Sequence, residues 1–169
     1  MNFQKKNPWD KQDCKRENCF SCESAVKFEN CKMKNCRQRS VLYETWCETC
    51  KKRNIKESSD EKNVEKSGNK RDRERNEKID DEKIYRYIGE TSRSIYERGI
   101  EHKKDLQFRR TRSHLLRHCV EIHSDENPDK IEFGMRLLSS HKSAFERQLS
   151  EAVMIEKYNG QYLLNSKLE

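Results

Sequence analysis

Arg98 and His102 stand four residues apart in Ser94-Ile95-Tyr96-Glu97-Arg98-Gly99-Ile100-Glu101-His102, a spacing that puts both on one face of a helix. A guanidinium beside a proton-transferring imidazole suits phosphodiester cleavage, which needs charge neutralised on the phosphate oxygens and a proton moved. Upstream, Tyr87-Ile88-Gly89 closes a strand-like run. The stretch therefore reads as a short strand that ends in a glycine turn and opens into a helix. A second chemistry lies in Cys47-Glu48-Thr49-Cys50, whose two-residue gap lets both thiolates reach one tetrahedral ion. His118 and His123 fit the other half of a Cys₂His₂ set, with His114 as a rival ligand. Cys119 reads as a buried thiol rather than a ligand.

Seven of the eight cysteines fall in the first 50 residues. Cys14, Cys19, Cys22, Cys31 and Cys36 offer more sulfurs than one tetrahedral site uses, so a second zinc knuckle is a reading whose ligand set stays open. Its role is either to grip nucleic acid or to clip the chain together. No apolar stretch opens the chain as a signal peptide, and no run is long enough to span a membrane. The expectation is an intracellular, reducing compartment, where clustered cysteines bind metal more often than they form disulfides.

Only 31% of the 169 residues are hydrophobic and 40% are charged, which spread evenly would argue for disorder. The apolar residues instead gather at 41–46, 84–100 and 131–164. A net charge of +7 favours an anionic partner, and nucleic acid is the commonest.

Residues 1–39 hold too few aliphatic side chains for a core, so metal would have to order them. A first strand is expected over residues 40–46. Residues 52–83 contain almost nothing apolar and read as a charged, flexible insertion, with a partly formed helix around 71–83. A second strand spans 84–88. The Ser94/Glu97 capping box opens a helix over 95–108, and another helix fits 113–123. Pro128 marks a turn. Ile131, Phe133, Met135 and Leu137 alternate as a third strand over 131–139, and Ser143/Glu146 opens a helix to 158. Tyr162-Leu163-Leu164-Asn165 reads as a short packed segment. The fold class is α+β: a small, about three-stranded antiparallel sheet flanked by helices. Its first two strands form a hairpin whose long loop is 47–83.

Residues 40–51 and 84–169 resemble the GIY-YIG endonuclease domain, in particular those of Penelope-like retroelements. The first family motif appears as Val41-Leu42-Tyr43, departing at two positions and keeping the tyrosine; the second, Tyr87-Ile88-Gly89, is intact. Arg98 matches the helix arginine, Glu151 the metal-binding glutamate and Asn165 the late asparagine. The resemblance implies a DNA endonuclease, nuclear in location, with no small-molecule substrate and no membrane partner. It implies that Glu151, not Glu146 or Glu156 of the same helix, holds Mg²⁺ or Mn²⁺, and that Arg98 clamps the scissile phosphate. Tyr43 is implied to lie near the attacking water, with Tyr87 supporting the pocket and His102 assisting proton transfer. Penelope-like domains also place cysteines between the two motifs and histidines after the first helix, which favours zinc at Cys47, Cys50, His118 and His123. With no reverse-transcriptase segment in these residues, the resemblance implies a detached fragment or a domesticated gene. The rival reading is a non-catalytic zinc and nucleic-acid-binding protein that keeps the fold.

Overall fold

The computed structural model describes residues 16, 19–27, 36–61, 84–158 and 162–165. Strand β1 (Arg39–Cys47) runs down the middle of a three-stranded antiparallel sheet, between β2 (Arg86–Ser94) and β3 (Phe133–Ser140). Its composition suits that place. Val41, Tyr43, Thr45 and Cys47 point to one face and Leu42, Glu44 and Trp46 to the other, and all seven are buried. The register sets Tyr43 opposite Gly89 and Leu137, and Thr45 opposite Tyr87 and Met135.

Five helices accompany the sheet among the described residues: α1 (Phe20–Lys27), α2 (Glu48–Glu61), α3 (Ile95–Gln107), α4 (His114–Ile122) and α5 (Ala144–Lys157). The expected capping box opens α3 in full: Ser94 Oγ accepts from Glu97 N–H, and the Glu97 carboxylate accepts from Ser94 N–H at 2.8 Å. At α5 the forward half is present, with Ser143 Oγ accepting from Glu146 N–H. Pro128–Lys130 is a single 3₁₀ turn.

The Tyr43 face of the sheet carries the main core, where Phe20, Ile95, Leu115, Ile131, Phe133 and Met135 pack over Val41 and Cys47. Helix α5 lies against β2 and β1 on the opposite face, joined to Glu90 by Arg147. There the buried Glu44 carboxylate is held between Arg86, at 3.0 Å, and Arg136, at 2.5 Å. A carboxylate in that position persists because both its oxygens are ion-paired.

Three expectations change. Gly89 is not a turn: β2 runs through it to Ser94. What the position requires is absence of a side chain, since a Cβ there would lie 2.5 Å from the Tyr43 hydroxyl and 2.7 Å from the Tyr87 ring. Residues 52–61, read as flexible insertion, continue helix α2, a stretch of Lys, Arg and Glu with no glycine or proline to stop it. The first 39 residues, read as a segment apart, contribute α1 and Phe20 to the main core. The expected helix at 71–83 lies outside the described residues. Among those described, no helix is long and apolar enough to cross a membrane.

Candidate active site and metal centre

Tyr43 sits under α3 because Gly89 leaves room for its ring. Arg98 Nε donates to the Tyr43 hydroxyl at 2.8 Å, and His102 Nε2 lies 3.0 Å from the same oxygen. Arg98 can only donate, so the phenol proton is directed at His102. Burial, then the charges of Arg98 and His114, push the His102 imidazole down to about 3, so it is neutral at physiological pH and free to accept. Burial, then Tyr87, raise the Tyr43 phenol above its ordinary value and keep it protonated. Arg98 Nη1 also donates to Glu101, at 2.9 Å, and a quarter of the arginine side chain (26%) remains exposed. Tyr87 lies beside this group, its ring 6.2 Å from that of Tyr43 and stacked on His114 at 5.1 Å.

Glu151 approaches from α5, on the far side of the sheet. Burial first, then the Glu90 carboxylate, raise its carboxyl above the ordinary range, while the charge of Arg98 pulls the other way. Glu151 and Arg98 thus feel each other without touching. Glu90 is anchored by Arg147, whose Nε donates at 2.8 Å and whose Nη1 reaches the carbonyls of His141 and Lys142.

Two of the expected site residues have structural partners. Tyr43 has no exposed surface, and its hydroxyl is engaged by Arg98 and His102. Its hydroxyl holds the arginine. The Asn165 side-chain amide accepts from Ile88 N–H at 2.8 Å and donates to Ile88 C=O at 2.6 Å. With Arg86 N–H donating to Tyr162 C=O and Leu164 N–H to Arg86 C=O, the tail runs along the outer edge of β2. Asn165 is therefore a positioning residue that closes this edge. His114, read from the sequence as a rival zinc ligand, stacks on Tyr87 beside this group, and Glu90, next to Glu151, was not singled out. The available signal for His114 was its spacing, one turn before His118 on the same helix.

The Cys₂His₂ set converges. The donor atoms of Cys47, Cys50, His118 and His123 all lie within 4.8 Å of one another, and all four residues are buried. Zinc bond lengths in a tetrahedron give sulfur–nitrogen edges of about 3.5 Å; the Cys–His distances here are 3.4, 3.5 and 3.2 Å. His123 Nδ1 faces the Glu126 carboxylate at 3.0 Å, which fixes the ring with Nε2 turned to the thiols. Cys47 is raised by its hydrogen bond to Cys50 and by burial, and Cys50 is lowered by that bond and by the two histidines, against its burial. Two soft thiolates and two imidazoles in a dry pocket fit zinc. His114, the rival ligand, lies apart on Tyr87, and Cys119 is a buried thiol outside the set. Cys19, Cys22 and Cys36 form a second buried cluster; Cys14 and Cys31 lie outside the described residues.

No family model, curated protein or solved structure matches this chain.

Proposed function

We propose that this chain is a divalent-metal-dependent DNA endonuclease of the GIY-YIG type, with zinc at Cys47, Cys50, His118 and His123. The observation that carries the reading is the Arg98–Tyr43–His102 network, in which a buried phenol fixes a partly exposed guanidinium beside the Tyr87–His114 stack. Such a fixed cation binds a phosphate without reorganising as charge develops. Arg98 releases Glu101 and takes the scissile phosphate through its planar fork. Tyr87 and His114 form the wall of the site. His102 keeps the Tyr43 proton in place, so the guanidinium keeps its aim. Glu151 would hold Mg²⁺ or Mn²⁺, which supplies charge neutralisation at the leaving oxygen when bound. A net charge of +7 suits a polyanionic substrate. Thiolate ligands suit a reducing compartment, and a DNA substrate makes that the nucleus.

The test is nicking of supercoiled plasmid with and without Mg²⁺. Wild type cuts with the metal and not without it, and Arg98→Ala loses on the order of 10²–10³ in rate. Arg98→Ala cutting as fast as wild type sinks the assignment. The second reading, a non-catalytic zinc and nucleic-acid-binding protein, is favoured by the complete burial of Tyr43. It predicts DNA binding with no metal-dependent nicking by any variant.

A further inference from the structure

Helix α3 holds the guanidinium and imidazole of the site, and its other side is gripped by the N-terminal segment at successive turns. The carbonyl of Gln38 accepts from Ile95 N–H at 3.0 Å and that of Cys36 from Tyr96 N–H at 2.9 Å, satisfying two amides of the first helical turn. The Arg16 guanidinium lies 4.3 Å over the Tyr96 ring. One turn on, Gly99 meets Phe20 so closely that an added Cβ would stand 3.0 Å from the Phe20 Cβ. One turn further, Lys103 pairs with Glu23 at 2.9 Å. Between these contacts lie three thiols, Cys19 and Cys22 from the start of α1 and Cys36 from the approach to β1, with exposures of 1%, 9% and 4%.

The three sulfurs lie within 4.8 Å of one another. Sulfurs of a tetrahedral zinc site stand about 3.8 Å apart, from Zn–S bonds of about 2.3 Å. A disulfide would join only two of them. Apolar packing alone does not explain three mutually close sulfurs in a segment this poor in aliphatic residues. A thiophilic cation does: it binds all three and offers a fourth position to water or another donor.

We propose that Cys19, Cys22 and Cys36 hold a second zinc ion, which clamps α1 and residues 36–38 onto the first three turns of α3. The cysteine-rich segment is then part of the core, not a separate nucleic-acid grip. The ion fixes the helix that presents Arg98; the consequence for cleavage rests on the proposed function, the zinc site does not.

Zinc counted on the purified full chain, with amide exchange at Ile95 and Tyr96, tests it. Cys36→Ser carries one zinc fewer than wild type, and those two amides exchange about tenfold faster or more. Cys36→His, which keeps a ligand, restores both. Cys47→Ser loses the other ion and leaves the exchange at Ile95 and Tyr96 near wild type. An unchanged zinc count in Cys36→Ser overturns the site, and unchanged exchange on zinc loss overturns the clamp. If Cys36→Ser fails to fold, cadmium-113 resonance on the wild-type chain decides: a signal from a three-thiolate site separate from the two-thiolate one supports the proposal, and its absence overturns it. None of these readouts needs cleavage, so an inactive protein refutes the proposed function and leaves the clamp standing or falling by itself. In a protein that does cut DNA, Cys36→Ser lowers nicking about 10²-fold through misplacement of Arg98.

Discussion

Glu151 is a half-buried carboxylate whose nearest strong influence is another carboxylate, Glu90. Burial and like charge both penalise the ionised form, and that penalty is what a divalent cation relieves. The sign follows from the raised value. A carboxyl with a higher pKa folded than unfolded costs the apo-protein stability as pH rises from the ordinary carboxylate range through the raised value, and the cost remains in full at neutral pH. Glu151→Gln removes both the penalty and the ligand. The variant should melt higher than wild type at pH 7 without metal, gain nothing from added Mg²⁺, and fail to nick DNA while still binding it. Wild type should gain from Mg²⁺. Melting curves with and without Mg²⁺ check this, and a variant that melts lower and still cuts would remove Glu151 from the metal role. Arg98 is the complementary case. Its charge reaches Glu151, while its contacts go to Tyr43 and Glu101.

At the scale of elements, the hairpin of β1 and β2 does most of the positioning. Tyr43 and Gly89 face each other across it, and the ring of one fills the space the other leaves. Gly89→Ala would place a methyl against the Tyr43 hydroxyl. The β2 backbone is held between β1 and the tail segment at Leu163 and Asn165, so it is the tyrosine that must move, and its bond to Arg98 goes with it. Overpacking of this kind costs about 1–3 kcal/mol. Urea unfolding should show that loss, with the Arg98-dependent nicking rate falling together with stability. An alanine variant with wild-type stability and rate would show that the close fit is unimportant. The strand, the glycine and both helix caps were legible in the sequence, because alternation and Ser-x-x-Glu spacing are local patterns. That Gly89 serves packing was not, since a glycine turn and a glycine under a tyrosine look alike until the register is known. Asn165 was singled out through the family resemblance, and the structure shows it bonded to the Ile88 backbone. Its pairing with Ile88 spans the chain, and no local pattern announces it. Residues 52–61 misled through composition: a charged run with no apolar face reads as linker, yet α2 starts at Glu48, between Cys47 and Cys50, which the two histidines contact.

For the molecule as a whole, a sequence that is 31% hydrophobic must draw part of its stability from elsewhere. The Cys₂His₂ cluster stands where that support counts most. It joins the end of β1 and the first turn of α2 to the end of α4, so an ion bound there would tie the sheet to the helical layer that carries His114 against Tyr87. Metal binding at such a site contributes directly to folding. Removing the first 38 residues is not a neutral way to isolate it, because Phe20 and Cys36 belong to the core. Point substitutions in the full chain are. Cys47→Ser and His118→Ala should each lower zinc by one ion per chain and the melting temperature by on the order of 10 °C. His114→Ala should keep the zinc and lose nicking, since it lines the candidate site and not the ion. Loss of zinc from His114→Ala would exchange the two roles, and full thermal stability in zinc-free Cys47→Ser would show that the apolar core holds the sheet and α4 together without the ion.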